Sequence, residues 1–293
     1  LNFFQTLAPP VNDDSLMYHL QIPKSYIANN SIIYNAFVPF NTPHLFELLT
    51  IFPMQHGNIY SVQVFYYLIS SLLIFQIYKL TQNYFGQTSG LISALLILST
   101  PKFTYINSSG IVETYLALIT ISSLWVFIEI FSEFKRNKYD VIKLSNYIII
   151  GSLLLGSTAA IKYYGLYSIV AIGTGFLYYI YIYNKIKYKK LIFLNIFIGL
   201  LFSSPFYIKN IYFTGNPIFP AMYTIFGGID WSYSLDILTN EFFDQNKKMP
   251  ITIINFLFSP FYIFLDYETV SGRSGYGILL IMLLPVVLFE KKI

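Results

Sequence analysis

Cysteine is absent from this chain of 293 residues, and charge is scarce: 18 Lys+Arg and 14 Asp+Glu make up only 11% of it. Without cysteine there is no disulfide framework, and the redox compartment leaves no mark on the sequence. A soluble domain carries about 25% charged residues, so this composition cannot supply a water-facing surface. Arginine is nearly missing too, with Arg136 and Arg273 alone, and the lysines are scattered among apolar runs. That excludes a phosphate-backbone reader, so no nucleic-acid partner is expected. What fills the chain instead is 55% hydrophobic residues, including 28 Phe and 27 Tyr. Disorder and collagen-like repeats are excluded by the same figures, and the aromatics suit lipid-facing bulk and interfacial belts. The expected class is an all-α polytopic membrane protein.

Apolar runs of about 20 residues cross a bilayer as helices. The sequence predicts about seven, near 59–79, 86–101, 111–131, 146–161, 164–184, 191–208 and 275–290. A further run at 251–265 contains Pro260, ends at Asp266 and reads as interfacial or re-entrant. Orientation follows from the basic residues. If the connectors after the first, third, fifth and seventh spans face the cytoplasm, they hold eleven of the 18. Four units follow: 1–58, an outer-face loop with amphipathic juxtamembrane helices; 59–208, the helical bundle; 209–274, a second outer loop; and 275–293, the last span with its cytoplasmic end. Leu1 opens mid-pattern and no signal peptide is visible. The sequence therefore reads as a piece of a longer protein or a processed form.

The first 58 residues hold all three histidines, His19, His44 and His56, together with Asp13, Asp14, Lys24 and Glu47. Ionisable groups cost least where the chain meets water, which makes this loop the place to look for chemistry. Asp13 or Asp14 would serve as cap of a helix starting near Ser15. In the competing reading Asp14 is a base, sharing a helical face with Tyr18 four residues on. Glu113, just inside the third span, is either interfacial or functional. His44 and Glu47, three apart, form a weak metal pair with His19 or His56, so a divalent metal stays open and no other cofactor is expected. The run Thr214-Gly215-Asn216-Pro217-Ile218-Phe219-Pro220 has turn chemistry and reads as ordering a loop. Trp231, in an exposed amphipathic stretch at 228–249, is a belt residue or a sugar platform.

Three motifs in order carry a resemblance. Asp14-Ser-Leu-Met-Tyr18-His19 is similar to the first outer loop of the GT-C superfamily of membrane glycosyltransferases. The nearest branch is the one related to protein O-mannosyltransferases and lipid A aminoarabinose transferases. The run 150–165, with Gly151, Gly156 and Lys162, resembles that branch's glycine-rich span ending in lysine. Ser204-Pro205 through Lys209-Asn210 to Gly215-Asn216-Pro217 resembles its Pro-Trp-x-x-Arg-Asn…Gly-Asn-Pro loop, with Tyr207 and Lys209 departing from it. The resemblance implies inverting transfer of a sugar from a polyprenyl-phosphate donor to an acceptor on the extracytoplasmic face of the inner or plasma membrane. It implies Asp14 as general base with Asp13 and Glu113 in support. Lys162 would meet the phosphate, and Tyr18, His19, Lys209 and Asn216 would bind substrate; Lys24 and Arg273 are weaker candidates. Membrane lipid is the expected partner, and the oligomeric state is open. The rival class is a transporter or lipid flippase, which would place its polar site near the bilayer midplane in repeated broken helices. No internal repeat is visible.

Overall fold

The computed structural model describes residues 2–135, 141–182, 189–245, 252–255 and 258. Among the described residues there is no strand. The chain begins with α1 (Asn2–Gln5), a π-helical turn at Ser15–His19, α2 (Gln21–Asn29), a 3-10 turn at Val38–Asn41 and α3 (Leu45–His56). The bundle follows: α4 (Ile59–Phe85), α5 (Gln87–Leu98), α6 (Pro101–Ser108), α7 (Glu113–Lys135), α8 (Val141–Ile161), α9 (Gly165–Ile182) and α10 (Lys189–Thr214). Two short helices, α11 (Tyr223–Phe226) and α12 (Tyr233–Gln245), lie in the loop beyond α10.

Helices α4, α5 and α7 to α10 overlap the predicted apolar runs, and α6 is an additional short helix. At 1.5 Å per residue a span needs about 20 residues. Among the described residues four helices meet the requirement: Ile59–Phe85, Glu113–Glu133, Ile142–Ile161 and Phe193–Thr214. The apolar stretches Gln87–Leu98 and Gly165–Tyr179 are shorter. Helix α5 ends at Leu98 because the chain turns through Ser99 and Thr100, and Pro101, which has no N–H, opens α6 as a first-turn residue. The run 275–290 lies outside the described residues, as do ten of the fifteen residues of 251–265. Four long apolar helices make this an integral membrane protein.

Helix α8 is the centre, the most buried of the four long helices. It runs antiparallel to α7, and an ion pair ties each end: Glu113 to Lys162 at 2.5 Å, and Glu133 to Lys143 at 2.8 Å. Between them Phe127, Ile130, Leu144, Ile148, Leu155 and Phe176 form a core shared by α7, α8 and α9. On its other side α8 meets α10 backbone to backbone. A Cβ on Gly156 would lie 2.3 Å from the Gly199 carbonyl oxygen, so glycine permits the approach. Inside α10, Pro205 cannot donate to the Leu201 carbonyl, and the Ser204 hydroxyl does so instead at 2.8 Å. This is how a membrane helix tolerates a proline.

The helices of the first 58 residues are all too short to cross. Asn58 caps α4 through a reciprocal capping box with Ser61. Phe3 of α1 packs edge-on against Tyr67, 5.5 Å between ring centroids. Tyr67 lies eight residues into α4, about 12 Å along its axis. Helix α1 therefore lies beside α4, below its first turn.

Candidate functional site

The site is built where the π-helical turn faces the end of α8 across a cavity. Asn12 starts the turn: its Oδ1 accepts from the Ser15 N–H at 3.1 Å, and its Nδ2 donates to the Tyr105 hydroxyl at 2.8 Å. The Ser15 hydroxyl donates to the Ser109 carbonyl just before α7. Asn12 thus fills the capping role expected of Asp13 or Asp14, and Asp14 makes no side-chain cap bond. Its carboxylate faces a cavity of about 450 Å³ instead. The volume lies within the range of small-molecule sites.

Asp14 and Tyr18 from the turn, Val38, Pro39 and Thr42 from the following loop, and Lys162, Tyr163 and Tyr164 after α8 line this cavity. The chain thus brings Asp14, Tyr18 and Lys162 together although 148 residues separate the first from the last. Glu113 approaches from the side, as the first residue of α7. A carboxylate at a helix N-terminus and an ammonium at a helix C-terminus each complement their own helix dipole. The Glu113–Lys162 pair therefore joins two groups already placed favourably. Tyr18 is held protonated: burial, and then the charges of Asp14, Glu113 and Glu47, push its hydroxyl well above the ordinary range. It can donate a hydrogen bond but not act as a base, which leaves Asp14 as the base-capable group facing the space.

Beneath Tyr18 lies a buried pair that sequence spacing did not join. His19 Nδ1 and Glu47 Oε1 are 2.6 Å apart, and both residues are almost fully buried. Burial would raise the Glu47 carboxyl, but the hydrogen bond and charge of His19 outweigh it and hold the carboxyl below its usual value. His19 therefore supports the floor under Tyr18 and does not line the cavity.

His44 turns the other way. Its Nε2 is 2.6 Å from the Pro39 carbonyl, and its Nδ1 is 3.3 Å from Lys209 Nζ. Lys209 also donates to the carbonyls of Phe40 and Thr42 at 3.1 and 2.7 Å. The 38–44 loop, the cavity's outer wall, is thereby tied to α10, and Lys209 braces that wall without lining the cavity. His44 and Glu47 do not converge, and His56 packs against Phe52. Among the described residues no group of three His, Cys, Asp or Glu side chains is placed to hold a metal ion.

Other expected contacts fall elsewhere. Asp13 is exposed and does not line the cavity. Lys24 borders a separate hollow with Leu20 and Met54. Asn216 is fully buried, with Nδ2 donating to the carbonyls of Ala221 and Gly227 at 3.0 Å each and Oδ1 accepting from Ile218 N–H at 2.9 Å. It fastens the loop after α10 and has no donor left for a substrate. Trp231 packs edge-on against Phe219. Arg273 lies outside the described residues.

Tyr163 is the residue that motif reading overlooked. Its hydroxyl donates to the Phe219 carbonyl at 3.0 Å and accepts from Asn210 Nδ2 at 2.8 Å, joining the end of α8 to α10 and to the loop beyond it. Its place beside Lys162 was the available signal.

Residues 42–292 match the family described as a domain of unknown function, DUF8201. The chain belongs to this family. The DUF8201 match begins at Thr42, in the cavity wall, and takes in Glu47, Glu113, Lys162, Lys209 and Asn216. Asp14, Tyr18 and His19 precede it. No curated protein and no solved structure matches the chain.

Proposed function

We propose that the protein is a membrane glycosyltransferase of GT-C type. It moves a sugar from a polyprenyl-phosphate donor to an acceptor on the extracytoplasmic face, with inversion. The observation that carries this reading is the convergence of Asp14, Tyr18 and Lys162 on one cavity at the end of the bundle. The acceptor's nucleophile attacks the anomeric carbon while Asp14 takes its proton. The bond from that carbon to the phosphate oxygen breaks, and the phosphate leaves with its lipid, its charge met by Lys162. Glu113 holds the lysine in place between turnovers. Tyr18, kept protonated, donates to a sugar or phosphate oxygen. One carboxylate is enough, because an inverting displacement forms no glycosyl-enzyme. The crowding of basic residues at the opposite ends of the helices supports an outward-facing site. All ionisable members of the site lie at the helix ends, where a midplane transport site would not put them.

Asp14→Asn tests the reading in membranes supplied with a polyprenyl-phosphate sugar. Transfer should fall about 10²–10⁴-fold, the usual share of a general base, with an unchanged thermal melt. Full transfer by that variant would overturn the assignment.

A further inference from the structure

Two hydrogen bonds tie α4 to α7 away from the Asp14 cavity. The Gln76 amide meets the Ser122 hydroxyl at 2.7 Å, and the Tyr84 hydroxyl donates to Glu129 Oε1 at 3.1 Å. The ties are about 10–12 Å apart along either helix, so α4 and α7 run side by side in the same direction. Above the second tie a groove of about 310 Å³ opens between them, lined by Leu72 and Phe75 of α4 and by Leu118, Ile119 and Trp125 of α7. Leu72 and Phe75 are exposed, so it opens sideways to the bilayer. Lys79 stands at its lower end. The ammonium lies 5.8 and 5.5 Å from the Phe75 and Tyr78 ring centroids and donates to Gln82 Oε1 at 3.1 Å, so it points on toward the level of Glu129. The Trp125 indole N–H, from the groove wall, donates to the same Glu129 oxygen at 3.3 Å. Lys79 and Glu129 both lie inside long apolar helices, and among the described residues neither has an ion partner. Ionisable groups are costly at such positions and mark sites.

We propose that the α4/α7 groove binds one phospholipid whose head carries a primary ammonium, in the leaflet away from the Asp14 cavity. The phosphate rests on Lys79, the ammonium on Glu129, and one acyl chain follows Phe75 and Leu72 up the groove. The donor inventory fits. A lysine ammonium has three protons to give, and Gln82 takes one. A carboxylate accepts about four hydrogen bonds, and Tyr84 and Trp125 both use Oε1. Head groups are discriminated by the two opposite charges together. A purely anionic head would satisfy Lys79 but leave Glu129 without a cation, and a choline head has no N–H to give it. This site is independent of the glycosyltransferase reading.

Native mass spectrometry of the full chain tests the assignment. The protein is released from detergent containing equal amounts of phosphatidylethanolamine, phosphatidylglycerol and phosphatidylcholine. One phosphatidylethanolamine should be retained, about tenfold over the other two, the worth of one charge-assisted hydrogen bond. Lys79→Gln should cut retention of every phospholipid about tenfold, and Lys79→Arg should keep most of it. Glu129→Gln keeps an acceptor for Tyr84 and Trp125 and should abolish the preference among head groups. Leu72→Trp, filling the groove, should lower retention, whereas Leu68→Trp, one turn higher and outside the groove, should not. Preference for phosphatidylglycerol, an unaltered preference in Glu129→Gln, or equal retention by the two tryptophan variants would overturn the proposal. So would a second copy of the chain, held in place of lipid and released by Leu72→Trp.

Discussion

Acidification should destabilise this protein through one imidazole, that of His44. A carbonyl oxygen only accepts and an ammonium only donates. The contacts to Pro39 O and Lys209 Nζ therefore fix His44 as the neutral tautomer with its proton on Nε2. A second proton would have to sit on Nδ1, facing a buried ammonium 3.3 Å away. Burial first, and then the Lys209 charge, lower the His44 value from 6.5 to about 3. The sign follows directly. Above about 6.5 the folded and unfolded chains both carry a neutral ring, and this ring costs no stability. Between 6.5 and 3 the unfolded chain binds a proton that the folded one refuses, so stability falls by up to about 1.4 kcal/mol per pH unit. At pH 5.5 the loss is on the order of 1 kcal/mol, reached before Glu47 contributes most of its own. Histidine-selective NMR separates the effect, since the chain has three histidines. The His44 ring should keep its neutral signature down to pH 5.5, and His44→Gln should remove that part of the acid loss in thermal melts. A His44 signal that moves to the imidazolium position between pH 7 and 5.5 would refute the reasoning, as would an identical acid loss in His44→Gln.

Two further outcomes follow from packing. Gly156→Ala should destabilise the bundle more than Gly199→Ala, because the added Cβ would lie 2.3 Å from the Gly199 carbonyl in the first case and 3.1 Å from the Ser152 carbonyl in the second. The first cost is that of overpacking, about 1–3 kcal/mol, and the reverse order in detergent melts would contradict the close α8–α10 approach. Asn216→Ala removes three part-buried hydrogen bonds and leaves two carbonyls short of a donor, a local loss of about 1–2 kcal/mol. Hydrogen exchange across 216–232 should rise while α7 and α8 stay protected; unchanged exchange would refute the fastening role.

The helices were legible because their cause is local. Long apolar runs, Pro101 at a boundary and Asn58 before α4 act over a few residues, and each left its mark in the sequence. The site was legible only where one turn of helix carries it: Asp14 and Tyr18 share a face by spacing alone. What stayed hidden depends on groups that sequence cannot orient. Asn12 took the cap from its acidic neighbours because its amide serves two partners at once, a backbone N–H and the Tyr105 hydroxyl, where a carboxylate only accepts. His44 looked like a partner for Glu47 at three-residue spacing, yet it is the N-cap residue of α3 and turns to the loop, and His19 from another segment fills that side of Glu47. Lys209 and Asn216 stand in motifs that suggest binding, but each finds its acceptors in backbone carbonyls of nearby loops, and backbone direction is the least readable property of a loop.

The same contrast bears on how far the family reaches. DUF8201 as matched begins at Thr42 and contains Lys162, its partner Glu113 and Lys209, the brace of the wall. The proposed base precedes it, on a turn held by Asn12 and Ser15. Ser15 is anchored to backbone carbonyls at 109 and 110, a contact that any residue type at those positions would offer. Ser15 therefore asks only for backbone from the matched segment, whereas Asn12 needs the Tyr105 hydroxyl and His19 needs Glu47. A segment carrying the nucleophile-activating group needs a serine, an asparagine cap and the carboxylate at the right offset. Family members that possess the Lys162–Glu113 pair should then be sorted by whether an Asn-x-Asp-Ser turn precedes it, and those lacking the turn should bind a polyprenyl phosphate without transferring a sugar. Transfer by a member with the pair and no such carboxylate would place the base elsewhere.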